Sequence, residues 1–232
     1  MNKFLLIICE GKSDQVTIYA PIKEFIKKEG VSIQSYITHG DIALKQGATK
    51  KSCHINLKSI IDEYKRQYHL YPSDFFGVFH IIDTDGAFVS SDAYAIVENG
   101  YYFDEELGII YTDDITKSRT INENKKEIYK YLISLDKISN VNYKVLFFSR
   151  NLEHTLYNLH NCSDDEKRIL SNKFEEYYED KPKEFYNKMS ECSFSVPKNY
   201  EDSWDYIMKD SNSIKRGSNF IVLLDLLKQY KQ

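Results

Sequence analysis

Glu10, Asp83 and Asp85 each stand just past the end of a continuous apolar run. The first run, Phe4-Leu5-Leu6-Ile7-Ile8-Cys9, is closed by Glu10-Gly11-Lys12-Ser13-Asp14. The second, Phe75-Phe76-Gly77-Val78-Phe79-His80-Ile81-Ile82, is closed by Asp83-Thr84-Asp85-Gly86. Apolar runs without polar alternation read as strands buried on both faces, the mark of a parallel sheet. In open α/β sheets ligands bind outside the carboxyl ends of the strands. If the two strands are neighbours, these carboxylates converge on one crevice, with nothing nearby in sequence to neutralise them. Like charges that close are costly unless a cation sits between them, and an all-oxygen donor set suits Mg²⁺ or Mn²⁺.

The elements that must position these acids follow from the pattern. After Gly11, Ser13 or Asp14 caps a helix running to about residue 28 and stopped by Glu29-Gly30. An alternating strand over 31–37, a polar loop over 41–54 and a helix over about 56–68 come next. The first 85 residues therefore read β-α-β-α-β, the order of a right-handed parallel sheet. Residues 87–120 read as an inserted antiparallel hairpin turning at Asn99-Gly100. A helix over about 122–134 leads to a fourth core strand, 143–148. Everything after Ser149 reads helical: 152–159, 164–179, 182–189, a short piece at Trp204, and 218–228. The expected organisation is a catalytic α/β domain over 1–150 and a helical cap or extension over 151–232.

Composition narrows the class. The 232 residues carry a net charge of −4, which argues against a nucleic-acid coat protein or a basic membrane-surface module but leaves room for a local grip on nucleic acid. The 19 Tyr and 13 Phe fit the drift of an AT-rich bacterial genome better than a stacking role. Cys9, Cys53, Cys162 and Cys192 show no Cys-x-x-Cys and no His partner at zinc-ligand spacing, as expected of reduced thiols in a cytoplasmic protein. The apolar start ends at Glu10, too soon for an export signal, and no stretch approaches the roughly 18 apolar residues of a membrane span.

Taken singly, Glu10-Gly11 also suits a turn, Asp14 a helix cap and Asp83-Thr84-Asp85-Gly86 a loop start. Their order and spacing together resemble the TOPRIM domain, shared by topoisomerases, bacterial primases, a small ribosomal-RNA maturase and the OLD-type nucleases of phage defence. The resemblance covers about residues 3–150. Glu10 matches the family's glutamate, Asp83 and Asp85 its acidic pair, and Asp14 a position that is frequently acidic. A second stretch, Phe147-Phe148-Ser149-Arg150-Asn151-Leu152-Glu153-His154-Thr155-Leu156-Tyr157-Asn158-Leu159-His160, looks like the strand-to-helix motif ending in His of small stand-alone TOPRIM proteins of the RloB-like group, although the proline of that motif is missing and Leu152 replaces its aromatic residue.

What the resemblance implies is a TOPRIM-like, Rossmann-like fold and a Mg²⁺- or Mn²⁺-dependent nuclease acting on DNA or RNA in bacterial anti-phage defence. Asp83 and Asp85 are expected metal ligands, with Glu10 as ligand or general acid/base, Asp14 as a further ligand, and Glu153 completing the catalytic set. Lys12, Lys50, Lys51, Lys215 and Arg216 are candidates for substrate phosphate, with His54 beside the second pair. Expected partners are the nucleic-acid substrate, a partner ATPase or phage-derived trigger, and further copies of the chain. His154 and His160 share no metal spacing and read as helix-surface residues; Trp204 reads as core. Two other functions stay open: a non-catalytic TOPRIM-like sensor or partner subunit of a defence complex, and a haloacid-dehalogenase-like Mg²⁺-dependent phosphatase built on Asp83-x-Asp85.

Overall fold

The computed structural model describes residues 3–27, 31–196 and 199–230. Its centre is a sheet in which β1 (Lys3–Cys9) lies between β2 (Val31–Ile37) and β3 (Phe75–Asp83). All three run parallel, and β8 (Val141–Phe148) continues the parallel sheet beyond β3. A short β7 (Lys137–Ile138) closes that edge antiparallel to β8. The expected adjacency of the first and third strands is therefore met, and the fold is an α/β, Rossmann-like sheet flanked by helices.

The unbroken apolar runs make sense because both faces are covered. Phe4, Leu6 and Ile8 of β1, with Val78 and Ile82 of β3, pack under α2 (Lys50–Gln67), α3 (Ile115–Ile133) and α7 (Tyr200–Ile207). Leu5, Ile7 and Cys9, with Phe79 and Ile81, face α1 (Lys12–Phe25), α4 (Leu152–Tyr157), α5 (Asp164–Tyr178), α6 (Pro182–Met189) and α8 (Ile221–Tyr230). This is the period-two alternation of a strand, with apolar partners on both sides. The helical C-terminal part is divided between the two faces. Trp204 fills the first core as expected, its ring 4.7 Å from that of Phe147 and its Nε1–H donating to the Val145 carbonyl.

Several boundaries differ from the sequence reading. Helix α1 ends at Phe25, and the expected stop at Lys28, Glu29 and Gly30 lies outside the described residues. The polar segment 41–54 is not all loop: the Thr49 hydroxyl accepts the Ser52 N–H and starts α2 at Lys50, which puts Lys50, Lys51 and His54 on a helix. Asp114 caps α3 through the Lys117 N–H, so that helix begins at Ile115 and the insertion is shorter than 87–120. The insertion is also not a simple hairpin. In it β6 (Ile109–Thr112) is central, antiparallel to β5 (Tyr101–Asp104) but parallel to β4 (Tyr94–Ile96). Among the described residues no helix is long and apolar enough to cross a membrane.

Candidate active site: a carboxylate edge

The carboxyl ends of β1 and β3 meet at one hydrogen bond. The Asp83 N–H donates to Glu10 Oε1 at 3.2 Å, so the side chain after one strand is held by the backbone ending the next. Gly11 is the N-cap of α1, and its N–H donates to Asp14 Oδ2 at 2.9 Å, turning Asp14 back toward the same strand end. On the far side β8 runs into Asn151, whose side chain caps α4 and sets Glu153, 3% exposed, in its first turn. Glu10, Asp14, Asp83 and Glu153 all line an open cleft of about 640 Å³. A slightly larger groove of about 680 Å³ runs along the outer face of α2 but holds none of these acids, so volume alone does not mark the site.

The cleft is short of positive charge. Burial, and then Asp41, raise the Glu10 carboxyl well above its usual range, only partly offset by Lys125. Burial, then Asp14 and Glu10, do the same to Asp83. Asp14 is raised to about 6 by burial, against the stabilising Gly11 N–H. These are the costs expected of like charges crowded out of water. The answering cations come from α1 and α5: Lys12, Lys167 and Arg168 line the same cleft. Burial disfavours the Lys167 ammonium, but Glu153, Asp83 and Asp14 outweigh it and raise its pKa.

Asp85 departs from the expected pair. Thr84 between the two acids is buried, its hydroxyl donating to the Ser213 carbonyl and accepting the Arg150 N–H. Asp85 then adopts φ 43° and turns its carboxylate away, onto Lys125 Nζ at 2.9 Å. It opens into a second cleft of about 420 Å³ with Lys125, Arg150, Tyr101 and His160. Lys125 is 1% exposed and also touches Asp41 Oδ2 at 2.8 Å. Tyr129, one helical turn on, places its hydroxyl 2.9 Å from Asp41 Oδ2 and 3.2 Å from the Asp83 carbonyl. The one ammonium is thus shared between Asp41 and Asp85, while Asp83 and Glu10 face the first cleft.

The predicted phosphate contacts are mostly committed elsewhere. Lys12 lines the first cleft, donating to Gln15. Lys50 pairs with Glu127 of α3 at 2.9 Å, and Lys51 is exposed on the first turn of α2, outside both clefts. Arg216 clamps the Thr155 carbonyl through Nε and a terminal nitrogen, at 3.2 and 2.7 Å; Lys215 beside it lines neither cleft. His154 is not a surface residue: it is fully buried and lies against His160, ring centroids 5.7 Å apart. Sequence reasoning missed Asp41, Lys125, Tyr129 and Lys167. Asp41 alone carried a usable signal, since it follows the end of β2 on the same carboxyl edge.

The cleft's all-oxygen donors fit a hard divalent cation. Among the described residues the only group of three ligand atoms lying within 4.8 Å of one another belongs to Glu105, His154 and His160, so no three of the cleft carboxylates come that close together. Mg²⁺ keeps several waters and takes one or two carboxylates, so an ion here would be held by one or two of these acids and not by a closed cage. Comparisons with family models, curated proteins and solved structures find no match for this chain.

Proposed function

We propose that this chain is a metal-dependent nuclease of the kind the TOPRIM resemblance implies, hydrolysing phosphodiester bonds at the cleft of Glu10, Asp14, Asp83 and Glu153. The Asp83 N–H to Glu10 Oε1 contact carries the reading, because it joins the ends of two neighbouring buried strands into one acidic crevice. Glu10 and Asp83 would hold Mg²⁺ or Mn²⁺, with Asp14 beside them, and the ion when bound would lower the pKa of water and neutralise charge developing on phosphate. Lys12, Lys167 and Arg168 supply positive charge along the cleft for a polyanion approaching this otherwise acidic edge. Glu153, buried and lining the same cleft, would accept a proton from an attacking water. Lys125 fixes Asp41 and Asp85 from the opposite side and partly offsets their charge at Glu10.

A phosphatase built on Asp83 and Asp85 acting together fits less well, since the two side chains open into different clefts. An anti-phage setting, with a partner ATPase or phage-derived trigger, rests on the resemblance. The test incubates the protein with plasmid, single-stranded DNA and total tRNA under Mg²⁺, Mn²⁺ or EDTA, beside Glu10→Gln and Asp83→Asn. Cleavage that needs the cation and is lost in both variants is expected. Cleavage indifferent to chelation or to either substitution, or none on any of the three substrates, would overturn the assignment.

A further inference from the structure

Glu105, in the turn between β5 and β6, reaches from the insertion to the segment around α4. Its position is set locally: the Asp104 carboxylate accepts the Glu106 and Leu107 N–H groups at 3.1 and 2.9 Å, shaping the turn. Glu105 Oε1 lies 2.6 Å from His154 Nε2 and 3.6 Å from His160 Nδ1. We propose that Glu105, His154 and His160 form a second metal site, for a Zn²⁺-class divalent cation, that clasps the insertion sheet to α4.

The ring of His154 is the first argument. It is fully buried, with Nδ1 3.3 Å from the Ser149 carbonyl and Nε2 facing the Glu105 carboxylate. A neutral imidazole has one N–H and cannot donate to both oxygens. Both contacts are satisfied by an imidazolium, or by an Nδ1–H donor whose Nε2 lone pair shares a cation with Glu105. A ring nitrogen donating to a backbone carbonyl while the other meets the cation is the usual setting of a metal-binding histidine.

Arg150 is the second. One terminal nitrogen sits 2.9 Å from His160 Nδ1 and 3.6 Å from Glu105 Oε1, and the other donates to the His160 carbonyl at 2.7 Å. The guanidinium holds positive charge against the same two groups that would ligate, so a cation would have to replace its contact with His160 Nδ1. A bound cation would take the place of the first contact and could leave the second, which engages only a backbone carbonyl. Two imidazoles and one carboxylate select Zn²⁺ or its congeners over Mg²⁺. The His160 side chain is 56% exposed, which provides an entry path and leaves a coordination position open to solvent. None of the three residues lines the acidic cleft, so the two sites are separable.

The experiment titrates the full chain with Co²⁺, followed by its visible absorption, then displaces it with Zn²⁺. One equivalent giving a visible band that Zn²⁺ abolishes is expected, unchanged in Asp83→Asn. His160→Ala, a substitution at an exposed side chain, should weaken binding by about tenfold or more while the far-ultraviolet circular dichroism stays the same. Glu105→Gln should do likewise. No visible band, equal affinity in His160→Ala, or a band lost only in Asp83→Asn would each overturn the proposal.

Discussion

Lys125 and Asp85 form an ion pair, Nζ to Oδ2 2.9 Å, that ties the middle of α3 to the turn after β3. The ammonium is buried, and Asp41 on its other side is buried with it. Burial opposes the charged lysine, but Asp85 and Asp41 outweigh that cost and raise its pKa. Removing the cation leaves Asp41 without its partner in the interior. Lys125→Met should therefore cost about 3–5 kcal/mol in urea unfolding, the usual effect of breaking a buried pair from one side. Adding Asp41→Asn to that variant should restore part of the loss. A cost under about 1 kcal/mol would show that the pair does not brace the edge.

The raised carboxyl groups set a pH dependence with a definite sign. Asp14, raised to about 6, and Glu10 and Asp83, both raised well above their usual range, hold protons in the native state that the unfolded chain has already released. Their contribution to stability is full below the unfolded pKa of about 4 and is lost as pH rises through their folded values. A divalent cation needs the ionised forms, so it acts in the opposite direction. The rise in melting temperature on adding Mn²⁺ should be clearly larger at pH 7.5 than at pH 5.5, and Asp14→Asn should reduce that difference. An equal or larger rise at pH 5.5 would contradict this.

Gly86 connects the acidic turn to the insertion. Its φ is 74°, and a β-carbon there would come within 2.9 Å of Ile110 Cδ1 and of Ile214 Cγ2 and 3.0 Å of Phe103 Cε1. Backbone strain and crowding act together, so Gly86→Ala should lower stability by roughly 1–3 kcal/mol in denaturant unfolding. It should also displace Asp85 more than Asp83, which is held on the strand side by its pairing with Phe148. An unchanged or raised stability would mean that the turn is looser than its contacts indicate.

The parallel sheet and its two acidic ends were legible in the sequence for a local reason. Apolar runs such as Phe4 to Cys9 have no polar face to hide, and Gly11 and Gly86 punctuate the turns after them. The separation of Asp85 from Asp83 was not legible, because it follows from a left-handed backbone at Asp85 and from Thr84 bonding to residues of two distant segments. Lys125 stands beside Lys126 in a polar stretch of α3 and reads as solvated; only the folded chain brings Asp41 and Asp85 to it. His154 was misread as a surface residue for a related reason, whereas His160 is exposed as expected. Their common partner, Glu105, lies on a turn whose sheet has its parallel strand from Tyr94 to Ile96, against the simple hairpin that Asn99-Gly100 suggests.

The claim that Glu10 and Asp83 hold one cation between them is tested most directly by Mn²⁺ binding, measured by the loss of the free-ion electron paramagnetic resonance signal. Carrying His160→Ala in every arm removes the proposed histidine site from the measurement. Glu10→Gln and Asp83→Asn should each weaken the tightest binding by at least about tenfold, about 1.4 kcal/mol. The double variant should lose clearly less than the sum of the two, since both substitutions dismantle the same site. Full affinity surviving either substitution, or strict additivity in the pair, would contradict the account.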